Sequence, residues 1–298
     1  MVKKLEEILD IAAGKTKKVL SVAVAQDVEV LKAVTEAVKL GIVNAILVGD
    51  KENIVDILKR ESLHRNNIEI IDEKDPFKAA AEAVKLVSEG KAQFIMKGML
   101  KTADMLKAVL NKEAGLRSSK LLSHVMIYEV PAYHKLLFLT DGGMLTYPNL
   151  EEKIGIVKNA IFVTSKLGIT LPKVAPICAV EVVNTNMQST LDAAVLTQMN
   201  RRGQIKGCII DGPISLDVAV SKISAERKKI VSKVAGDVDI LLVPNIEAGN
   251  LLGKSMTYFA GAKNAGVIVG AKCPVVLVSR TNSAMSKLYS IALGAVVS

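Results

Sequence analysis

The chain has 298 residues, half of them hydrophobic, with no low-complexity tract, charged tail or tandem repeat, so it can build the cores of two domains. Its formal charge of +9 admits nucleic acid, a membrane surface or small anionic substrates; without Trp, and with only 5 Phe and 5 Tyr, it has little on which to stack bases. No apolar run approaches about 18 residues, and Glu6, Glu7 and Asp10 interrupt any signal-peptide core, so the expectation is a cytoplasmic protein acting on anionic small molecules, with no nucleic-acid or membrane partner.

VLSVAVA (19–25) is an apolar run of the buried-strand type, and Asp27 caps a helical stretch that stops at Gly41. AILVGD (45–50), a polar helix and IEIID (68–72) repeat the alternation, and Asp75-Pro76 opens a helix that runs to Gly90. QFIMKG (93–98) is the fourth strand candidate, with a helix from Thr102 to Leu110 behind it. Strand-then-helix repetition predicts a parallel sheet covered on both faces. The middle differs: SHVMIYEVP (123–131) and KLLFLTD (135–141) are separated by a link too short for a crossover, which allows an antiparallel pair and places a domain boundary near 141. A helix from Leu150 to Leu167 follows, and the alternation resumes with strands at 173–180, 207–212, 239–245 and 266–271, and with helices from about Ser189 to Arg201, through Lys229 and from Asn250. PVVLVSR (274–280) then hands over to a last helix capped by Asn282 or Ser283, which sets Ser279 and Arg280 at a strand's carboxyl end beside a helix N-terminus, a place suited to anions.

Several stretches invite chemistry. AGNLLGKS (248–255) ends like a P-loop, but the first glycine of GxxxxGK[ST] would fall on Ala248, so ATP is not expected; Gly249, Lys254 and Ser255 at a helix start can still contact an anion, or be a cap and a solvated lysine. In MKGMLKT (96–102), Lys97 and Lys101 add charge, Gly98 permits close backbone approach and Thr102 can cap the helix, although an ordinary βα turn explains the same residues. Asp141 and Asp211, in DGG and DGP, either orient a substrate or close their turns, and the residues alone favour the turn. His124, inside a strand, reads as a core histidine. Cys178, Cys208 and Cys273 lie in apolar runs, and His64, His124 and His134 have no ligand spacing, so neither a disulfide nor a metal site is expected. GxGxxG and GxSxG do not occur.

MKGMLKTADML (96–106), SHVMIYEVP (123–131), LTDGGMLTYPNLEEK (139–153), AVEVVN (179–184), IIDGPISLDVAV (209–220), the long run from 241 to 271 and VSRTNSAMSKLYSIAL (278–293) together resemble the phosphate acetyltransferase and phosphate butyryltransferase family, and DGP and AGNLLGKSMTYF look more like its butyryl branch. The resemblance implies two doubly wound α/β domains with a cleft between them, isocitrate/isopropylmalate dehydrogenase-like: residues 1–140 plus 268–298, and an inserted domain at 141–267. It implies reversible transfer of a short acyl group, butanoyl first and acetyl as the alternative, from acyl-CoA to inorganic phosphate, as in fatty acid fermentation. CoA and phosphate would be substrates or products, no cofactor would be needed, and a homo-oligomer is usual; a CoA- or phosphate-binding protein without activity is the alternative of another class. Arg280 and Ser279 match the pair at the acetyl branch's reaction centre, the guanidinium holding phosphate and the developing oxyanion. Lys97, Gly98, Thr102, Ser123, His124, Asp141, Gly142, Gly249, Asn250, Lys254 and Ser255 are the expected substrate-binding residues. The acetyl branch has a proposed aspartate base six residues after that arginine, where this chain has Ser286. Any base is therefore expected from another loop, with Asp211 first, and Asp141 and Glu247 behind it.

Overall fold

A computed structural model describes residues 2–279 and 281–298. The first elements are α1 (Glu6–Ala13), β1 (Lys18–Ala23), α2 (Val28–Lys39), β2 (Val43–Gly49), α3 (Lys51–Arg60), β3 (Ile68–Asp72), α4 (Pro76–Ser88), β4 (Phe94–Lys97) and α5 (Thr102–Val109). Then come β5 (Ser123–Glu129), β6 (Leu137–Thr140), α6 (Leu150–Lys166), β7 (Lys173–Pro176), α7 (Gln188–Arg201), β8 (Ile209–Ile210), α8 (Leu216–Val220), α9 (Lys222–Arg227), β9 (Ile240–Leu242) and α10 (Ile246–Tyr258). β10 (Lys263–Val269), β11 (Val275–Val276) and α11 (Ala284–Val297) follow.

Two compact units result: an outer one of residues 6–120 and 265–298, and an inserted one of residues 1–5 and 121–264. The first crossing thus falls about twenty residues before the expected boundary. The reason is pairing: β5 and β6 are antiparallel, with Ile127 opposite Phe138, and β6 pairs in parallel with β9, Phe138 opposite Ile240, which makes both strands part of the inserted sheet.

In the outer unit the strand order is β3-β2-β1-β4-β11-β10, parallel except for β10. β1 and β4 are apolar and buried along most of their length because helices cover both faces, which is why their sequences do not alternate. α11 is buried on every side from Lys287 to Val297, as a helix apolar all round must be. The inserted unit has the order β5-β6-β9-β7-β8, parallel from β6 onward. Parallel strands gather their carboxyl ends on one edge, so each unit presents one set of loops there.

Three elements differ from expectation. The helix predicted from Asn250 begins at Ile246, because Asn245 caps it by accepting the Ala248 N–H at 2.9 Å. Of the described residues of PVVLVSR, Val275 and Val276 form the strand. The stretch before Lys229 forms two short helices, α8 and α9, with Ser221 serving both as the end of one and the cap of the next.

Candidate active site

In the outer unit, the loop after β4 lies on the end of β1. The Gly98 and Met99 N–H groups donate to the Ala23 and Val24 carbonyls at 2.8 and 2.7 Å, and a Cβ at Gly98 would lie 2.2 Å from the Val24 oxygen. The glycine therefore serves backbone packing within the protein. Lys97 is buried, with Nζ donating to the Gly98 and Leu100 carbonyls at 3.0 and 3.1 Å, so it ties the loop from within. Thr102 does not cap α5; Lys101 holds that position, without a side-chain cap bond, and Thr102 is the first helical residue. Beside this loop lies a cavity of about 180 Å³ lined by Pro76, Phe77, Met99, Leu100, Lys101 and Asp104.

Next along the same edge, Ser279 is exposed, its Oγ 3.0 Å from the Thr281 Oγ1, and its carbonyl accepts the Asn282 N–H at 3.1 Å. Arg280, the arginine expected at the reaction centre, lies outside the described residues. Ser283 caps α11 through the Ser286 N–H. The first amide of α11, at Ala284, is taken by a carboxylate: Glu29 Oε2 accepts it at 2.7 Å. Lys287, buried on the first turn, donates from Nζ to the Asn282 carbonyl at 2.5 Å, and burial lowers its pKa against the opposing pull of Asp27 and Glu29.

In the inserted unit, the turn after β6 is closed by Asp141. Its Oδ1 accepts the Gly143 and Met144 N–H groups at 2.8 and 2.9 Å, and its Oδ2 accepts the His124 N–H at 3.1 Å. Of the two readings open to this aspartate, the turn accounts for all these bonds. Gly142 and Gly249 touch: a Cβ on Gly249 would lie 2.6 Å from the Gly142 Cα, so α10 packs directly on the turn. Gly249, Asn250, Lys254 and Ser255 consequently lie inside α10, not at its start, with Lys254 and Ser255 about 12 Å along the axis from the N-terminus. Lys254 stands 6.0 Å from the Tyr258 ring. No phosphate loop forms there; the Ile246 N–H donates to the Thr146 carbonyl at 3.0 Å, and the Ala248 and Gly249 N–H groups to Asn245.

Ser123 is fully buried and accepts a hydrogen bond from Asn159 Nδ2 at 2.8 Å. His124 presses its ring against Gly143, where a Cβ would come within 2.6 Å of Nδ1, and its Nε2 is buried with no hydrogen-bond partner among the described residues. Burial lowers the imidazole pKa and Asp141 raises it, the first effect prevailing. Asp211 ends β8 at the sheet's edge and pairs with Arg201 at 3.2 Å. Three strand spacings separate it from Asp141, about 14 Å. Asp211 and Asp141 are thus not neighbours. Sequence reading also missed Lys153 and Asp192, a buried pair 2.5 Å apart that joins α6 to α7. Cys178, Cys208 and Cys273 are buried free thiols, with burial pushing Cys208 up to about 11 and Cys273 up to about 12. They are poor nucleophiles.

Residues 77–295 match the phosphate acetyl/butaryl transferase family. A phosphate butyryltransferase of Clostridium beijerinckii is 52% identical over 297 residues, covering 100% of this chain and 98% of the relative. The chain belongs to the phosphate acetyl/butyryltransferase family. Among solved structures, a branched-chain phosphotransacylase from Enterococcus faecalis is similar at 36% identity and a TM-score of 0.84, over 94% of this chain and 99% of that one. A 4-hydroxythreonine-4-phosphate dehydrogenase from Klebsiella pneumoniae, at 13% identity and a TM-score of 0.57 over 94% of this chain and 98% of that one, shares the fold alone. The α/β architecture is therefore the dehydrogenase-like one that the family resemblance implied. No helix among the described residues is long and apolar enough to cross a membrane.

Proposed function

We propose that this chain is a phosphate butyryltransferase, an acyltransferase that moves a short-chain acyl group reversibly from butanoyl-CoA to inorganic phosphate, giving acyl phosphate and CoA. The observation that carries the reading is the full-length likeness to a phosphate butyryltransferase. The net charge of +9 supports it, because both substrates are polyanions. Hydrogen phosphate is itself the nucleophile, and the thiolate is a serviceable leaving group with a thiol pKa of roughly 8.5. The protein's work is to hold the two reactants together and stabilise charge on the thioester oxygen.

In our reading Arg280 grips phosphate through its guanidinium fork and Ser279 offers its exposed hydroxyl to the carbonyl oxygen. Lys97 and Asp141 act at one remove, by fixing the loops after β4 and β6. The cavity beside Phe77, Met99 and Lys101 supports binding of a partly apolar anion. CoA and phosphate are substrates, without a further cofactor. We place the enzyme in the cytoplasm, where a free-thiol product stays reduced, in short-chain fatty acid fermentation and as a homo-oligomer.

The test is thiol release from acetyl-, butanoyl- and branched acyl-CoA, with and without phosphate. Release should require phosphate and be fastest with butanoyl-CoA; phosphate-independent release, or none, would refute the proposal, and a maximum with acetyl-CoA would favour phosphate acetyltransferase. Arg280→Gln should lower kcat by about 10²-fold or more with the same substrates.

A further inference from the structure

The reaction proposed above also moves a proton. Phosphate attacks the thioester carbonyl carbon through one oxygen; a C–O bond forms, the C–S bond breaks, and the proton carried by hydrogen phosphate ends on the thiolate sulfur. A carboxylate that accepts this proton from the phosphate and returns it to the sulfur is regenerated in each turnover.

Carboxylates stand at the carboxyl edges of both sheets, and most are engaged. Asp141 receives three backbone N–H groups. Asp211 pairs with Arg201, and Glu247 accepts the Tyr147 hydroxyl. Asp27 caps α2 through the Val30 N–H at 2.8 Å. Glu29 is placed differently. It is half-buried on the first turn of α2, and Oε2 is held by the Ala284 N–H while Oε1 has no hydrogen-bond partner among the described residues. Ser279, whose carbonyl accepts the Asn282 N–H, lies five residues before Ala284 in sequence. Ser286 lies two residues further along α11, within the same helical turn as the amide that Glu29 takes. Around Glu29 stand Lys287, Asp27 and Lys32.

We propose that Glu29, carried by α2, accepts the phosphate proton in this enzyme and delivers it to the departing thiolate, so that α2 supplies the carboxylate that α11 lacks. The inference rests on the function proposed above.

Glu29→Gln tests it, because the amide oxygen still accepts the Ala284 N–H while basicity is lost. With butanoyl-CoA and saturating phosphate, kcat should fall about 10²-fold while both KM values stay within about threefold and the melting temperature is kept. Adding Ser286→Asp to this variant should restore kcat by about tenfold or more. Glu29→Gln with at least half the parent kcat would overturn the proposal. So would a loss, with or without a lowered melting temperature, that Ser286→Asp does not repair. A parent enzyme with no phosphate-dependent release would overturn the function and this inference together, whereas an active parent with an equally active Glu29→Gln overturns this inference alone.

Discussion

His124 shows how far a single position departs from what its neighbours in sequence suggest. Set in an apolar strand, it reads as a satisfied core histidine, yet Nε2 is buried without a partner among the described residues and only its backbone is bonded to Asp141. The depressed imidazole pKa means that the folded state resists a proton which the unfolded chain takes up near pH 6.5. The stabilisation is therefore present above that value and is lost as pH falls through it. Urea unfolding midpoints should decline between about pH 7.5 and 5.5, and His124→Gln should flatten the decline; an unchanged slope would remove His124 as its source. The role of Asp141 was legible at this scale, because an acid before two glycines is turn chemistry wherever it occurs. That of Glu29 was not: its partner, Ala284, is 255 residues away, and only the packing of α2 on α11 brings them together.

Among the elements, the parallel strands were the most readable. Burial on both faces leaves runs such as VLSVAVA and QFIMKG with little alternation, and Asp27 and Asp75 mark the helix starts behind their turns. α10 was misread for a physical reason. Its glycines at 249 and 253 leave room for the Asp141 turn and for Tyr128, which makes a packed helix look like a loop in sequence. Asn245, a conventional cap, was the signal that pointed the other way. The link between α6 and α7 was invisible, since Lys153 and Asp192 look like surface residues until both prove buried. Asp192→Ala should strand the Lys153 ammonium and cost about 3–5 kcal/mol in denaturant unfolding. A loss below about 1 kcal/mol would show that Lys153 finds water or another acceptor.

At the scale of the whole chain, alternation identified two α/β units, but sheet order could not be read from it. The decisive contacts are long-range: β11 pairs with β4, Val275 opposite Ile95, across most of the sequence. A chain ending at Asn264 should therefore lose amide-exchange protection in β1, β2 and β4 and keep it in β6, β7 and β9; protection retained in β1 would show that the outer sheet stands without its last strands. The same nesting carries a consequence for biosynthesis. The half of the outer unit that leaves the ribosome first has β4 open along one side until β11 emerges, roughly 180 residues later. At about 5–20 residues per second that is a wait of about 9–36 s, by the end of which the inserted unit has all five of its strands and can close its own core. The earliest part of the chain is thus the last to be completed, and an unpaired strand in the nascent outer unit is the point at which misassembly would begin.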